Sequence, residues 1–212
     1  MKTVSNQELT IRVSEHGAEL SSIVANATGK EYLWQADPAF WKRHSPVLFP
    51  IVGSVWKAEY RNEGTMYPLS QHGFARDMDF TLIDEAENEL RFALESTPDT
   101  LRAYPFPFLL EIGYRLEGNK VEVLWRVKNT GDKTMHFQIG AHPASCTRIM
   151  RWINRIGGIS LSIEKRSRIP CAGGKRVRRG RGSSGTFGCG RLATVEYPYV
   201  RYRYVYLGGQ PD

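Results

Sequence analysis

At 212 residues, 41% hydrophobic and 11% aromatic, the chain has enough apolar surface for a packed core, which argues against disorder, and no apolar run approaches a membrane-spanning helix. Its length fits one sizeable domain with an appendage. The net charge of +7 is unevenly spread: residues 1–145 carry 15 Lys and Arg against 19 Asp and Glu, whereas residues 146–212 carry 14 against 3. Basic character, and with it any reading as a nucleic-acid footprint, therefore belongs to the second segment alone.

Taken in order, Glu8-Leu9-Thr10-Ile11-Arg12-Val13 alternates with period two, and Ala18 to Val24 follows after His16-Gly17. This predicts paired strands around a turn. Glu31 to Trp34 reads as a further short strand, and Asp37 to Trp41 as a turn carrying aromatics. Ser45-Pro46-Val47-Leu48-Phe49-Pro50-Ile51-Val52-Gly53 is apolar and bracketed by prolines. It is too short for a helix and hostile to a central strand, because proline cannot donate a ladder hydrogen bond, so a buried loop or edge segment is expected.

Gln71-His72-Gly73-Phe74-Ala75-Arg76-Asp77 is a polar loop between strand-like stretches, a common way to present functional groups. Met78 to Ile83 and Glu89 to Glu95 alternate again, and Phe108 to Leu116 and Lys120 to Val127 flank Glu117-Gly118-Asn119, a hairpin signal. Met135 to Ile139 is the strand that leads to His142. Many strands, short turns and no helix-period stretch predict an all-β antiparallel sandwich. Trp41, Trp56 and Trp125 are expected to pack in its core, and His16, His44 and His136 to be structural.

The pattern stops near Ala144. Two units are expected: residues 1–144, part of the sandwich, and residues 145–212, an irregular segment rich in Arg and Gly. Eleven glycines fall in the last 67 residues, and only Leu192 to Leu207 alternates, in a way that would pair with an exposed sheet edge. Cys146, Cys171 and Cys189 are odd in number and widely spaced, which suggests neither a disulfide framework nor a zinc site. The opening residues have no apolar run of signal-peptide length, so a cytoplasmic location is expected.

Three motifs, Ser45 to Gly53, Gln71 to Asp77, and Gln138-Ile139-Gly140-Ala141-His142-Pro143-Ala144, resemble successive signatures of the aldose 1-epimerase (galactose mutarotase) family, and its LacX-like branch in particular. The resemblance covers about residues 1–144. It implies the galactose-mutarotase-like supersandwich, incomplete here, with a sugar cleft lined by loops. The implied activity is interconversion of the α and β anomers of an aldose such as a hexose, without a metal or organic cofactor.

Opening a pyranose ring requires a proton at the ring oxygen and removal of one from the anomeric hydroxyl, so an acid and a base must face each other across the sugar. Imidazole, with an ordinary pKa of about 6.5, serves either purpose. The resemblance makes His142 the general acid and His72 a second histidine that binds or polarises at the ring oxygen. Arg76 would bind sugar hydroxyls or orient its loop, and Phe74 or Trp34 would offer a stacking face. The family's catalytic glutamate lies in a later motif with no counterpart here, which leaves Glu164 and Glu196 as the only glutamates beyond Ala144.

The charge swing, the Gly and Arg enrichment and the end of the resemblance coincide, as expected either of a segment translated out of the ancestral frame, in which case the other two frames of the encoding DNA would contain the glutamate motif, or of a lineage-specific tail. Two further readings stand beside a mutarotase: a carbohydrate-binding module without turnover, and a nucleic-acid-binding basic tail on a structural β-domain. The partner expected is a small-molecule sugar, not a membrane or a nucleic acid.

Overall fold

The computed structural model describes residues 1–144 in full and, beyond them, the backbone of two strands, 191–195 and 200–207. In chain order the first strands are β1 (Lys2–Ser5), β2 (Leu9–Ser14), β3 (Glu19–Ala25), β4 (Lys30–Glu31) and β5 (Val47–Leu48). Next come β6 (Glu59–Asn62), β7 (Thr65–Pro68), β8 (Thr81–Ala86), β9 (Glu89–Glu95), the short helix α1 (Pro98–Ala103), β10 (Phe108–Glu117), β11 (Lys120–Asn129) and β12 (Met135–Ala141). The two later strands are β13 (Arg191–Val195) and β14 (Val200–Leu207).

These strands form three larger antiparallel sheets, in the orders β1-β2-β3-β4, β14-β11-β10-β9-β8 and β13-β12-β5, with β6-β7 as a separate hairpin. The alternation legible in the sequence sorts side chains by face. Leu9, Ile11 and Val13 of β2 are buried and Arg12 is exposed, while Val121, Val123, Trp125 and Val127 line the inner face of β11. Residues from all three larger sheets share one contiguous core, with Val4, Ile11 and Leu20 from the first, Phe92, Ile112 and Trp125 from the second, and Met135, Phe137 and Ile139 from β12. Tyr114 crosses between sheets, its hydroxyl donating to the Ala18 carbonyl at 2.6 Å. The fold is the expected antiparallel β-sandwich.

The other face of the second sheet carries charge. Glu89 accepts from Arg91 at 2.5 Å and from Arg115 at 2.6 Å, and Arg126 donates to both carboxylate oxygens of Glu111, at 3.2 and 3.1 Å. Buried carboxylates are stable only when paired in this way.

Three expectations are corrected. Trp41 and Trp56 do not pack in the core: they are 37% and 77% exposed, whereas Trp125 is buried. The strand expected over Glu31 to Trp34 is shorter and displaced, at Lys30–Glu31. A six-residue helix interrupts the β pattern at Pro98–Ala103, started by a capping box in which Thr97 and Thr100 each bond the other's backbone amide; it is too short to show helical periodicity. The alternating segment near the end does pair with sheet edges, β13 with β12 and β14 with β11. The cysteines, the glycine runs, and Glu164 and Glu196 lie outside the described residues.

Candidate active site

The three motifs converge through the backbone. β5 pairs with β12, Leu48 opposite Gly140 and Val47 opposite Ala141, and the His142 amide extends this ladder by donating to the Pro46 carbonyl at 3.2 Å. The chain then passes through Phe49, whose carbonyl accepts from the amides of Phe74 and Ala75 at 3.1 and 3.2 Å. That approach requires Gly73: at φ +71°, a Cβ there would sit 2.2 Å from the Phe49 oxygen. Gln138 ties the first motif to the third, its amide donating to the Pro50 carbonyl at 2.8 Å and its side-chain oxygen accepting from the Val52 amide at 3.0 Å.

Alternation along β12 then decides which side chains face away from the core. Met135, Phe137 and Ile139 point into the core, so His136, Gln138 and Gly140 take the opposite face, and continued alternation carries His142 to that side. His142 is exposed and His72 half-buried. Their rings meet edge to face with centroids 4.8 Å apart and planes at 86°.

The two histidines are held differently. His72 and Gly53 exchange two hydrogen bonds: the His72 amide donates to the Gly53 carbonyl at 2.7 Å, and the Gly53 amide donates to His72 Nδ1 at 3.0 Å. Since Nδ1 accepts, the proton of the neutral ring sits on Nε2. Among the described residues, no hydrogen bond reaches a ring nitrogen of His142. Partial desolvation, the His142 ring and the Arg76 guanidinium push the His72 imidazole below its ordinary value, and desolvation and Arg76 do the same to His142. Both therefore favour the neutral form near neutrality.

Arg76 acts electrostatically on both rings. Its Nη2 donates to the Gln71 carbonyl at 2.9 Å, and its Nε lies 3.5 Å from the Asp77 carboxylate. Phe74 sits in the same loop but packs against the core, stacked on Phe108 at 6.0 Å and edge-on to Phe49 at 6.4 Å. Trp34 reaches the site through the backbone, its amide donating to the Ala144 carbonyl at 2.9 Å. Its indole N–H donates to the Trp41 carbonyl at 2.8 Å and its ring meets Phe40 edge-on at 6.1 Å.

Sequence reasoning gave no role to Gln138, Glu19 or Arg43, all of which bond the loops of the site. Gln138 stands inside a quoted motif and could have been singled out there. Glu19 and Arg43 gave no signal, because the first looks like one more ladder residue and the second like a surface cation.

The chain resembles known proteins in both sequence and fold. The family model described as Aldose 1-epimerase matches residues 2–144. The plasmid and chromosomal LacX proteins of Lactococcus lactis subsp. lactis are 37% and 36% identical over 147 and 152 residues, 66% of this chain and 49% of each relative. The chain thus spans about half the length of the curated relatives it matches. A galactose mutarotase related enzyme from Lactobacillus acidophilus superposes with a TM-score of 0.68 at 36% identity, covering 81% of this chain and 58% of that one. A galactose mutarotase-like protein from Lactobacillus casei gives 0.67 at 25% identity, covering 97% and 87%.

Proposed function

Because the chain belongs to the aldose 1-epimerase family, we propose that its cleft binds an aldose and that His142 and His72 serve the opening and reclosing of the sugar ring. The observation that carries this reading is the 4.8 Å edge-to-face pair of imidazoles where the three motifs meet. In the forward step the anomeric hydroxyl loses its proton, the C1–O5 bond breaks as C1=O1 forms, and O5 takes up a proton. Rotation about C1–C2 and reclosure on the other face give the opposite anomer.

The two imidazoles suit different parts of this step. His72, neutral with its proton on Nε2, is a fixed hydrogen-bond donor that polarises the ring oxygen. His142, exposed and without a described partner on its ring, exchanges a proton more freely and serves as the general acid, its depressed pKa making its protonated form the stronger acid. Arg76 binds hydroxyls beside them, and Trp34 with Phe40 offers an aromatic face. Of the two aromatic residues expected to stack on sugar, Trp34 is favoured over Phe74, which the core already occupies. The base is expected beyond residue 144, where Glu164 and Glu196 are the available glutamates. A cytoplasmic location belongs to the same reading.

Binding without turnover is the second reading, favoured by one observation. Asp77, the carboxylate in the His72 loop, is already engaged by Arg43 and Arg76 and so is poorly suited to act as base. Polarimetry on freshly dissolved α-D-glucose or α-D-galactose separates the two. Faster equilibration that is lost in His142→Ala supports the enzyme; saturable sugar binding without acceleration supports the module. A chain that does neither, and is instead retained on a polyanion column in a salt-sensitive way, would return the nucleic-acid reading of the basic segment.

A further inference from the structure

Glu19 and Arg43 stand outside the three motifs, yet both are largely buried, with side chains 10% and 20% exposed. A buried carboxylate and a buried guanidinium require specific partners, and those partners lie in the two loops that carry the site. Glu19 Oε1 accepts from the backbone amides of His44 and Ser45, at 2.6 and 2.8 Å, which fixes the chain where it enters β5. Its other oxygen faces Arg43 at 3.9 Å. Arg43 in turn donates from Nη1 to the Arg76 carbonyl at 3.0 Å and from Nη2 to the Asp77 carboxylate.

The Arg76 carbonyl is also closely approached by the turn after β2. A Cβ on Gly17 would lie 2.8 Å from that oxygen, and the Gly17 amide donates to the Met78 carbonyl at 2.8 Å. The backbone of Arg76 therefore meets both the turn after β2 and the guanidinium of Arg43, which is ion-paired with Glu19 of β3.

We infer that Arg43, seated by Glu19, is a positioning residue that fixes the Arg76 turn against the β5 segment and so sets where the Arg76 guanidinium stands relative to His72 and His142. The role requires arginine: its planar fork reaches two acceptors in two directions, which a lysine ammonium on a flexible stem does not reproduce. The inference rests on the sugar-site reading for its functional meaning, but not for its geometry.

The test compares wild type with Arg43→Lys, which keeps charge and stem, and Arg43→Met, which keeps the stem alone. The readouts are NMR titration of the two imidazoles, thermal unfolding, and affinity for D-galactose. Because Arg76 helps to depress both imidazoles, its release should raise both midpoints in both variants, and galactose affinity should fall by about tenfold, the loss expected when one well-placed contact is misaligned. Unchanged midpoints with only a lower unfolding temperature would make Arg43 structural and overturn the inference, as would failure of both variants to fold. The titration needs no sugar, so a wild type that neither binds galactose nor speeds its mutarotation sinks the functional reading alone.

Discussion

Gly53 and His72 are joined by a reciprocal pair of hydrogen bonds, 2.7 Å from the His72 amide and 3.0 Å to its Nδ1. The second bond opposes protonation, because a protonated ring would turn Nδ1 into a donor facing another donor. Nitrogen chemical shifts should therefore show His72 as the Nε2–H tautomer, with a titration midpoint below the ordinary 6.5. A midpoint above that value would contradict the geometry.

The rate of mutarotation, if His142 is the proton donor to the ring oxygen, should fall as pH rises above the midpoint of that residue. Its imidazole is depressed below 6.5 by desolvation and Arg76, so the alkaline limb of the profile is expected below 6.5. A rate that climbs as pH rises through that same midpoint, and is flat above it, would assign the opposite role, proton acceptor, to this ring.

Stability should fall in two separate pH windows on acidification. For the histidines the folded-state value is lower than the unfolded one, so between about 6.5 and the depressed midpoints the unfolded chain binds more protons and stability falls as pH drops. Burial of Glu89 would raise its carboxyl, but the bonds from Arg91 and Arg115 prevail and hold it below the ordinary carboxylate range. Its contribution is present above the unfolded value near 4.5 and is lost as pH falls through the folded one. Denaturant titrations across pH 3–8 should resolve both windows, and Glu89→Gln should shrink the acid one.

Gly73→Ala should be among the most damaging single changes in the chain. The new methyl group would meet the Phe49 carbonyl and Pro50 Cδ, 2.2 and 2.6 Å away, at a backbone angle that already disfavours it. A loss of about 4 kcal/mol or more is expected. Gly118→Ala is the control: φ there is also positive, at +56°, but nothing lies within 4 Å, and about 1–2 kcal/mol is expected. Chemical denaturation measures both.

Phe49→Ala and Phe40→Ala should separate core from surface. Phe49 is fully buried among Phe108, Phe137 and Tyr104, with ring centroids 5.0, 5.7 and 6.2 Å away, whereas Phe40 is 80% exposed. The first is expected to cost about 3–5 kcal/mol; the second should stay within about 0.5 kcal/mol and, under the proposed function, weaken sugar binding instead.

Much of this was legible in the residues. Period-two alternation separates a wet from a dry face in β2, and an apolar inner face from a face of paired charges in β10 and β11, so it survives into the fold. The His72 and His142 motifs could be read through their resemblance to the family's signatures. What stayed hidden depended on distance across the fold. Trp41 and Trp56 carry the composition of a core residue, and only the course of the loop determines that they face solvent. Glu19 and Arg43 are 24 residues apart in sequence, and nothing local marks them as partners.

The strand that leads to His142 leaves little freedom for change in length. Met135, Phe137 and Ile139 fill the interior while His136 and Gln138 take the opposite face, so inserting or deleting one residue between Met135 and His142 would exchange the two sets, driving an imidazole into the apolar interior and a phenyl ring out of it. Within that span, descent with modification can work only by substitution; growth or shortening must be confined to the turns on either side.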